Sequence, residues 1–304
     1  MTAVIHHKLT YSDPDVFTIR NLCDVHLGHV NTSEKLLQKD IDAIRDDPFA
    51  YWIYGGDGID AISTKGDNRY KPSSMAPWLH GYDDVIGAQR DRLIDMLSPI
   101  ADKCLGWVCG NHELNSLDWY GRNLHWELLT MISQKAKKPP QSLDLGYGGF
   151  ISLSFRQQYA NSTGHGRRLN IYIHHGAGGG LLHGGHALAL GRSIGWRGAD
   201  LHLFGHRHVQ IVDTYVFEYP GSTGVAMKKT KIAAFCGTYL GNESEWGKKD
   251  AYRQERVRIH YADKKGLPAT PLGTLLFAYQ PLDRSLWYSN GHIWGATNVS
   301  TEAS

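Results

Sequence analysis

The stretch VFTIRNLCDVHLGH (residues 16–29) decides the fold. Its first half is apolar and β-branched and short enough for a buried strand, and it stops at a polar turn that begins at Asp24. In the next segment, SEKLLQKDIDAIRDD (33–47), Ser33 offers an N-cap, and Leu36, Leu37, Ile41 and Ile44 keep helical spacing up to Pro48. AYWIYGGD (50–57) then reads as a second strand ending on Asp57. Strand, helix, strand is the repeating unit of an α/β domain with parallel strands.

Working outward, Val85, Ile86, Leu93, Ile94 and Leu97 predict a helix within 83–100. It leads into a third strand, KCLGWVCG (103–110), which stops at Asn111, and a helix is expected over roughly 117–135. Residues 60–82, polar and with no steady period, read as an inserted loop and possible lid. The second half changes character. GGFISLSFRQQ (148–158), RRLNIYIHH (167–175), DLHLFGH (200–206), VQIVDTYVFEY (209–219) and TKIAAFCGTYL (230–240) are strand-like, interrupted by a glycine-rich run, HGAGGGLLHGGHALALGRSIG (175–195). Strands following βα units predict an α/β fold of two packed mixed β-sheets flanked by helices. One domain is expected over 1–290, with a polar C-terminal tail over 291–304.

The bulk properties narrow the class. A chain of 304 residues, 41% hydrophobic, can bury a sizeable core. A net charge of +2 is too mild for a dedicated nucleic-acid binder. Cys23, Cys104, Cys109 and Cys236 contain no CxxC pair and read as reduced structural thiols, which favours a cytoplasmic location. The N-terminus lacks a signal-peptide core, and no segment reaches the roughly 18 apolar residues of a membrane span, so no membrane partner is expected. Oligomeric state is not written in the composition. Histidine is the outlier, at 17 residues, several beside acids or glycines.

Five polar clusters stand out: Asp24-Val25-His26, Gly56-Asp57, Gly110-Asn111-His112-Glu113, His174-His175-Gly176 and Gly205-His206-Arg207-His208. Four follow an apolar strand directly, where loops from neighbouring strands converge on a rigid sheet. A single histidine or Gly-Asp at such a place is ordinarily structural; the set reverses that reading. Carboxylate, amide oxygen and imidazole together suit borderline divalent cations, with no thiolate to draw a structural zinc. Asp24 and His26, like His206 and His208, alternate, so an extended backbone would send each pair to one side.

In this order, DVH, GGDGID, GNHE, HHG and GHRH resemble the motifs of the calcineurin-like metallophosphoesterases, over about residues 24–208, and look most like its prokaryotic and phage-associated branch. The resemblance implies a four-layer α/β/β/α sandwich and two divalent metal ions, manganese first, with iron, zinc or nickel as alternatives. Asp24, His26 and His208 would hold one ion, Asn111, His175 and His206 the other, and Asp57 would bridge them. Ions roughly 3.5–4 Å apart share a hydroxide that attacks phosphorus in line. His112 would bind the phosphate or protonate the leaving oxygen. Glu113 and Asp60 read either as partners behind the ligands or as solvated acids. The fourth motif holds two histidines that alternation sends to opposite faces; the following glycine selects His175, leaving His174 behind the ligands or structural.

Three features bear on substrate. Gly178, Gly179 and Gly180 read either as a close backbone approach to phosphate or as a plain loop, and His183 and His186 read as non-ligands. Between 228 and 265, ten basic residues (Lys228, Lys229, Lys231, Lys248, Lys249, Arg253, Arg256, Arg258, Lys264, Lys265) outnumber five acidic ones, which reads as a solvated sheet face before a nucleic-acid track supported by Trp246 and Tyr252. The insert brings Arg69, Tyr70, Lys71 and Trp78 near the second motif in sequence. The expected activity is hydrolysis of phosphomonoesters or phosphodiesters. DNA or RNA cleavage by the same site is the alternative, and a non-catalytic binding module the third reading.

Overall fold

The computed structural model describes residues 2–62, 67, 69–158, 167–179, 182–221, 224–241 and 271–290, with the backbone of 294–297. It opens with β1 (Ala3–Tyr11), a strand not expected from the sequence. The deciding stretch follows as β2 (Phe17–Leu22), then α1 (Glu34–Asp46) and β3 (Ala50–Tyr54). Ser33 caps α1, its side chain accepting from the Leu36 amide, and Leu37, Ile41 and Ile44 face inward with no exposure. Burial of each such side chain contributes about 1.5–3 kcal/mol. The expected second helix is α2 (Val85–Leu97), leading to β4 (Cys104–Trp107).

The single helix expected over 117–135 is instead two, α3 (Asn111–Tyr120) and α4 (Leu124–Ala136). The break is Gly121, whose φ of 64° ends α3 in the left-handed region while its amide bonds back to Leu117 and Ser116. Further on come β5 (Gly148–Gln157), β6 (Arg167–His174), α5 (His183–Trp196), β7 (Leu201–Phe204), β8 (Gln210–Pro220) and β9 (Ala226–Thr238). Helix α5 occupies most of the glycine-rich run, because Leu190 and Ile194 bury a stripe that outweighs the glycines' low helix propensity. The chain finishes with β10 (Gly273–Thr274), β11 (Leu276–Gln280), β12 (Ser285–Ser289) and β13 (Trp294–Thr297). Strand β13 pairs with β12 inside the segment expected to be a polar tail.

Among the described residues the strands form two mixed sheets. One runs β1-β5-β6-β7-β9-β10, with β8 along β9; the other runs β13-β12-β11-β2-β3-β4. Strands β2, β3 and β4 are mutually parallel, as are β6, β7 and β9. Ile19, Ile53, Leu105, Ile151, Ile171, Leu203 and Phe277 fill the space between the sheets. Leu22, Trp52 and Tyr54 on the opposite face of the second sheet pack with Leu37, Ile41, Leu93 and Leu128 of α1, α2 and α4. Leu190 and Ile194 of α5 cover Ala233 and Phe235 on the outer face of the first sheet. The result is a four-layer α/β/β/α sandwich. Among the described residues no helix is long and apolar enough to cross a membrane.

Candidate metal centre

The C-terminal ends of β2, β3 and β4 in one sheet, and of β6 and β7 in the other, meet at one end of the sandwich. Backbone bonds lace them together: Asp24 N to Gly56 O, His26 N to Asp57 O, and Gly205 N to His175 O, at 2.9–3.0 Å. The Asp24 carboxylate accepts the His206 amide at 2.8 Å, and Asp57 Oδ1 accepts the His112 amide at 2.8 Å. Asp24, His26, Asp57, His206 and His208 all have φ between 50° and 70°. The extended backbone expected at the Asp24/His26 and His206/His208 pairs is therefore replaced by left-handed turns, which cost about 1–3 kcal/mol at a non-glycine residue and persist where surroundings over-determine them. Gly56, at φ 91°, permits the tight approach, since a Cβ there would lie 2.6 Å from His175 Nδ1.

Three groups of donors result among the described residues, one of them His26, Asp60 and His112. Asp24, His26 and His208 offer one ligand atom each within 4.8 Å of one another, and so do Asp57, His175 and His206. His26 Nε2 lies 3.1 Å from His208 Nε2, and His208 Nε2 lies 3.3 Å from Asp24 Oδ1. Asn111 Oδ1 sits 2.7 Å from His206 Nδ1 and 3.1 Å from His175 Nε2, while Asp57 Oδ2 is 3.3 Å from the same His175 nitrogen. All seven candidate ligands are thus brought together. His174 is not among them: its Nδ1 accepts the Gly176 amide at 2.9 Å, and its ring lies with Tyr147, Tyr172 and Phe204.

The electrostatics match a site that wants a cation. Burial alone pushes the Asp57 carboxyl up, but His112, His175 and His26 hold it well below the usual range. Burial depresses His175, yet Asp57 and Asp24 raise it to about 10, so a proton on its ring balances the buried carboxylates. A divalent cation would take that proton's place. Burial, with His112 and His208 beside it, drives His26 well down, which favours the neutral, ligating imidazole. His26 Nδ1 is buried without a hydrogen-bond partner, 3.9 Å from Asp60 Oδ1. The donor set and the buried Asp24 and Asp57 carboxylates fit a divalent metal.

The residues behind the donors are specific. Glu113, 1% exposed, accepts from the Tyr54 hydroxyl and from the amides of Asp57, Gly58 and Gly110, each amide at 2.9 Å. It ties the second and third motifs together rather than facing solvent. Asp60, also buried, has its carboxyl raised to about 6 by burial, and its carbonyl accepts His112 Nδ1 at 2.6 Å. Burial opposes protonation of His112, but Asp57 and Asp60 leave its pKa raised. Two further supports carry no motif signal in the sequence: Tyr54, and Thr238, whose hydroxyl donates to the Asp24 carbonyl at 2.7 Å.

The insert is tied down over much of its length. Val30 N bonds Ser74 O, Ala76 N bonds Gly28 O, and Leu79 is buried. Arg69, held by the buried Asp67, places Nη1 3.5 Å from His112 Nε2. Trp78 points elsewhere, bonding Glu34 under Arg92. His186 is buried against Arg207 and Phe235, and His183 opens α5; neither joins a donor group among the described residues. Gly178 and Gly179 are exposed, with Gly180 outside the described residues. Of the basic cluster, Lys228 pairs with Glu218, Lys229 pairs with Asp200, and Lys231 lies over Phe217. Lys248, Lys249, Arg253, Arg256, Arg258, Lys264 and Lys265, with Trp246 and Tyr252, lie outside the described residues.

No family model matches the chain, and no curated protein does. Among solved structures it is similar to a Vps29 double mutant from Entamoeba histolytica, at 13% identity and a TM-score of 0.41 over 93% of this chain and 100% of that one. It is also similar to a conserved protein described as a predicted phosphoesterase from Streptococcus pneumoniae (11% identity, TM-score 0.33, 93% and 98% covered). A third likeness is to the NAD nucleotidase of Haemophilus influenzae, at 9% identity and a TM-score of 0.34, over 93% of this chain and 54% of that one.

Proposed function

We propose that the chain is a metal-dependent phosphoesterase of the calcineurin-like kind, hydrolysing phosphomonoesters or phosphodiesters at a dinuclear centre. The observation that carries this is the convergence of seven donors from five strand ends, with five of them held in strained left-handed backbone. Asp24, His26 and His208 would hold one divalent ion and Asn111, His175 and His206 a second, with Asp57 shared. Bound ions there would neutralise phosphoryl oxygens and lower the pKa of water.

The protein's own part in the reaction is proton transfer and positioning. His112 Nδ1 donates to the Asp60 carbonyl, which fixes the tautomer and leaves Nε2 to face the ester. A proton carried on Nε2 passes to the leaving oxygen as its bond to phosphorus breaks. Arg69, its guanidinium beside Nε2, is placed to take a phosphate oxygen of the ester.

The test is turnover of a chromogenic diester, a monoester and single-stranded DNA by the Mn²⁺-loaded chain. Hydrolysis of a small ester that chelation abolishes and Mn²⁺ restores is expected, and DNA cleavage would move the assignment to a nuclease. His112→Ala should lower kcat by roughly 10²–10⁴ with metal retained. Unchanged hydrolysis by a metal-loaded Asp57→Ala variant would overturn the reading.

A further inference from the structure

A cavity of about 310 Å³ opens beside the metal motifs, between α5 and the outer face of the first sheet. Its walls share two loops with the metal centre: Gly176 and Ala177 directly follow His175, and Arg207 stands between His206 and His208. Arg207 turns away from the donors, lying over Phe235 at 5.0 Å and reaching His186 Nδ1 at 2.9 Å. On the helix side, Arg192 and Arg197 are exposed, and Arg197 lies over the Tyr172 ring at 5.2 Å.

The charge of this lining is one-sided. Three guanidinium groups supply it, and among the described lining residues there is no carboxylate. Guanidiniums gathered around one cavity repel each other and raise the local concentration of anions. The rest of the wall is aromatic. Trp196, 73% exposed, presents a ring beside the arginines, with Tyr172 and Phe204 deeper in. Forked cationic donors suit a phosphate and also stack on ring faces, while an exposed indole is a platform for another flat ring. The volume is at the lower end of small-ligand sites.

Resting on the phosphoesterase reading above, we infer that this cavity is a subsite for a nucleoside phosphate, so that the substrate is a nucleotide ester. The base stacks on Trp196 while Arg192 and Arg197 hold a phosphate that is not cleaved. The ester to be cleaved extends past Gly176 and Ala177 toward the metal donors.

Binding to the Mn²⁺-loaded full chain, followed by calorimetry with AMP, adenosine and inorganic phosphate, tests the subsite apart from turnover. AMP should bind at least tenfold more tightly than inorganic phosphate. Arg192→Ala/Arg197→Ala and Trp196→Ala should each erase that advantage, and Arg197→Glu should reduce AMP affinity further. Circular dichroism of the variants, altered only at exposed positions, controls for folding. A thymidine tetranucleotide binding more tightly than AMP assigns the source as a strand, and the reverse order assigns a free nucleotide; in either case the arginine loss must follow. AMP binding no tighter than phosphate, or unchanged in the arginine variants, overturns the subsite. Absence of chromogenic-ester hydrolysis by the parent chain alongside selective AMP binding would overturn the hydrolase reading and leave the subsite standing.

Discussion

At the residue scale, the chemistry of the site depends on side chains whose own supports are buried acids. Glu113 accepts four donors, three of them backbone amides flanking Asp57 and Asn111. A glutamine cannot accept all of them, because one oxygen becomes an NH₂ that confronts amide donors in a buried place. Glu113→Gln should therefore weaken Mn²⁺ binding by about 10–100-fold, the usual range for a partner behind a metal ligand. Titration of the chelated chain with Mn²⁺ measures this, and affinity equal to the parent's would show that Glu113 only caps α3. What the sequence displays at this scale is which residues sit at strand ends. It does not display their dihedral angles. Asp24 and His26 alternate as they would on a strand, yet both adopt φ of 50°, because the amides of Asp24 and His26 are drawn to Gly56 and Asp57 across the neighbouring loop. That tertiary constraint has no local signature.

At the element scale, legibility follows how much of an element's stability is local. Helix α1 announces itself through Ser33 and a regular apolar stripe. Helix α5 does not, since glycine at 184, 185, 191 and 195 obscures a stripe whose stabilisation comes from the sheet beneath it. Strand β1 gains its place by pairing in parallel with β5, some 140 residues away. The α5–β7 contact also holds a titrating group. His202, with no exposure, meets Ser193 Oγ at 3.3 Å, and burial lowers its pKa from 6.5 to about 4. The unfolded chain binds the proton first, so this histidine's contribution is intact above pH 6.5 and is lost as pH falls from 6.5 toward 4. Against the parent, His202→Asn should flatten the denaturant-derived stability across that window by up to about 3 kcal/mol. Parallel pH profiles would show instead that His202 is solvated in the native state.

At the scale of the whole molecule, the donors belong to both sheets. Asp24, Asp57 and Asn111 follow β2, β3 and β4, while His175, His206 and His208 follow β6 and β7. Direct bonds already cross between the sheets, with the Asp24 carboxylate taking the His206 amide and the His175 ring donating to Gly55 O at 2.8 Å. Two carboxylates at 0–1% exposure are nevertheless costly without a balancing cation. Ions bound between them would act as a staple on one end of the sandwich. A site at a hundred times its Kd adds about 2.7 kcal/mol. With two sites and about 2 °C or more per kcal/mol for a chain of this size, chelation should lower the thermal midpoint by roughly 10 °C, reversibly on adding Mn²⁺. Asp57→Asn should blunt that response, because Asp57 is the ligand proposed to be common to both ions. The staple also makes a spatial prediction for hydrogen exchange. Removing metal should speed exchange of the Asp24 and His26 amides in one sheet's loops and of the Gly205 and His206 amides in the other's, together and by a similar factor. Acceleration confined to one sheet would place the ions on that sheet alone and would break the assignment of Asp57 as the shared ligand.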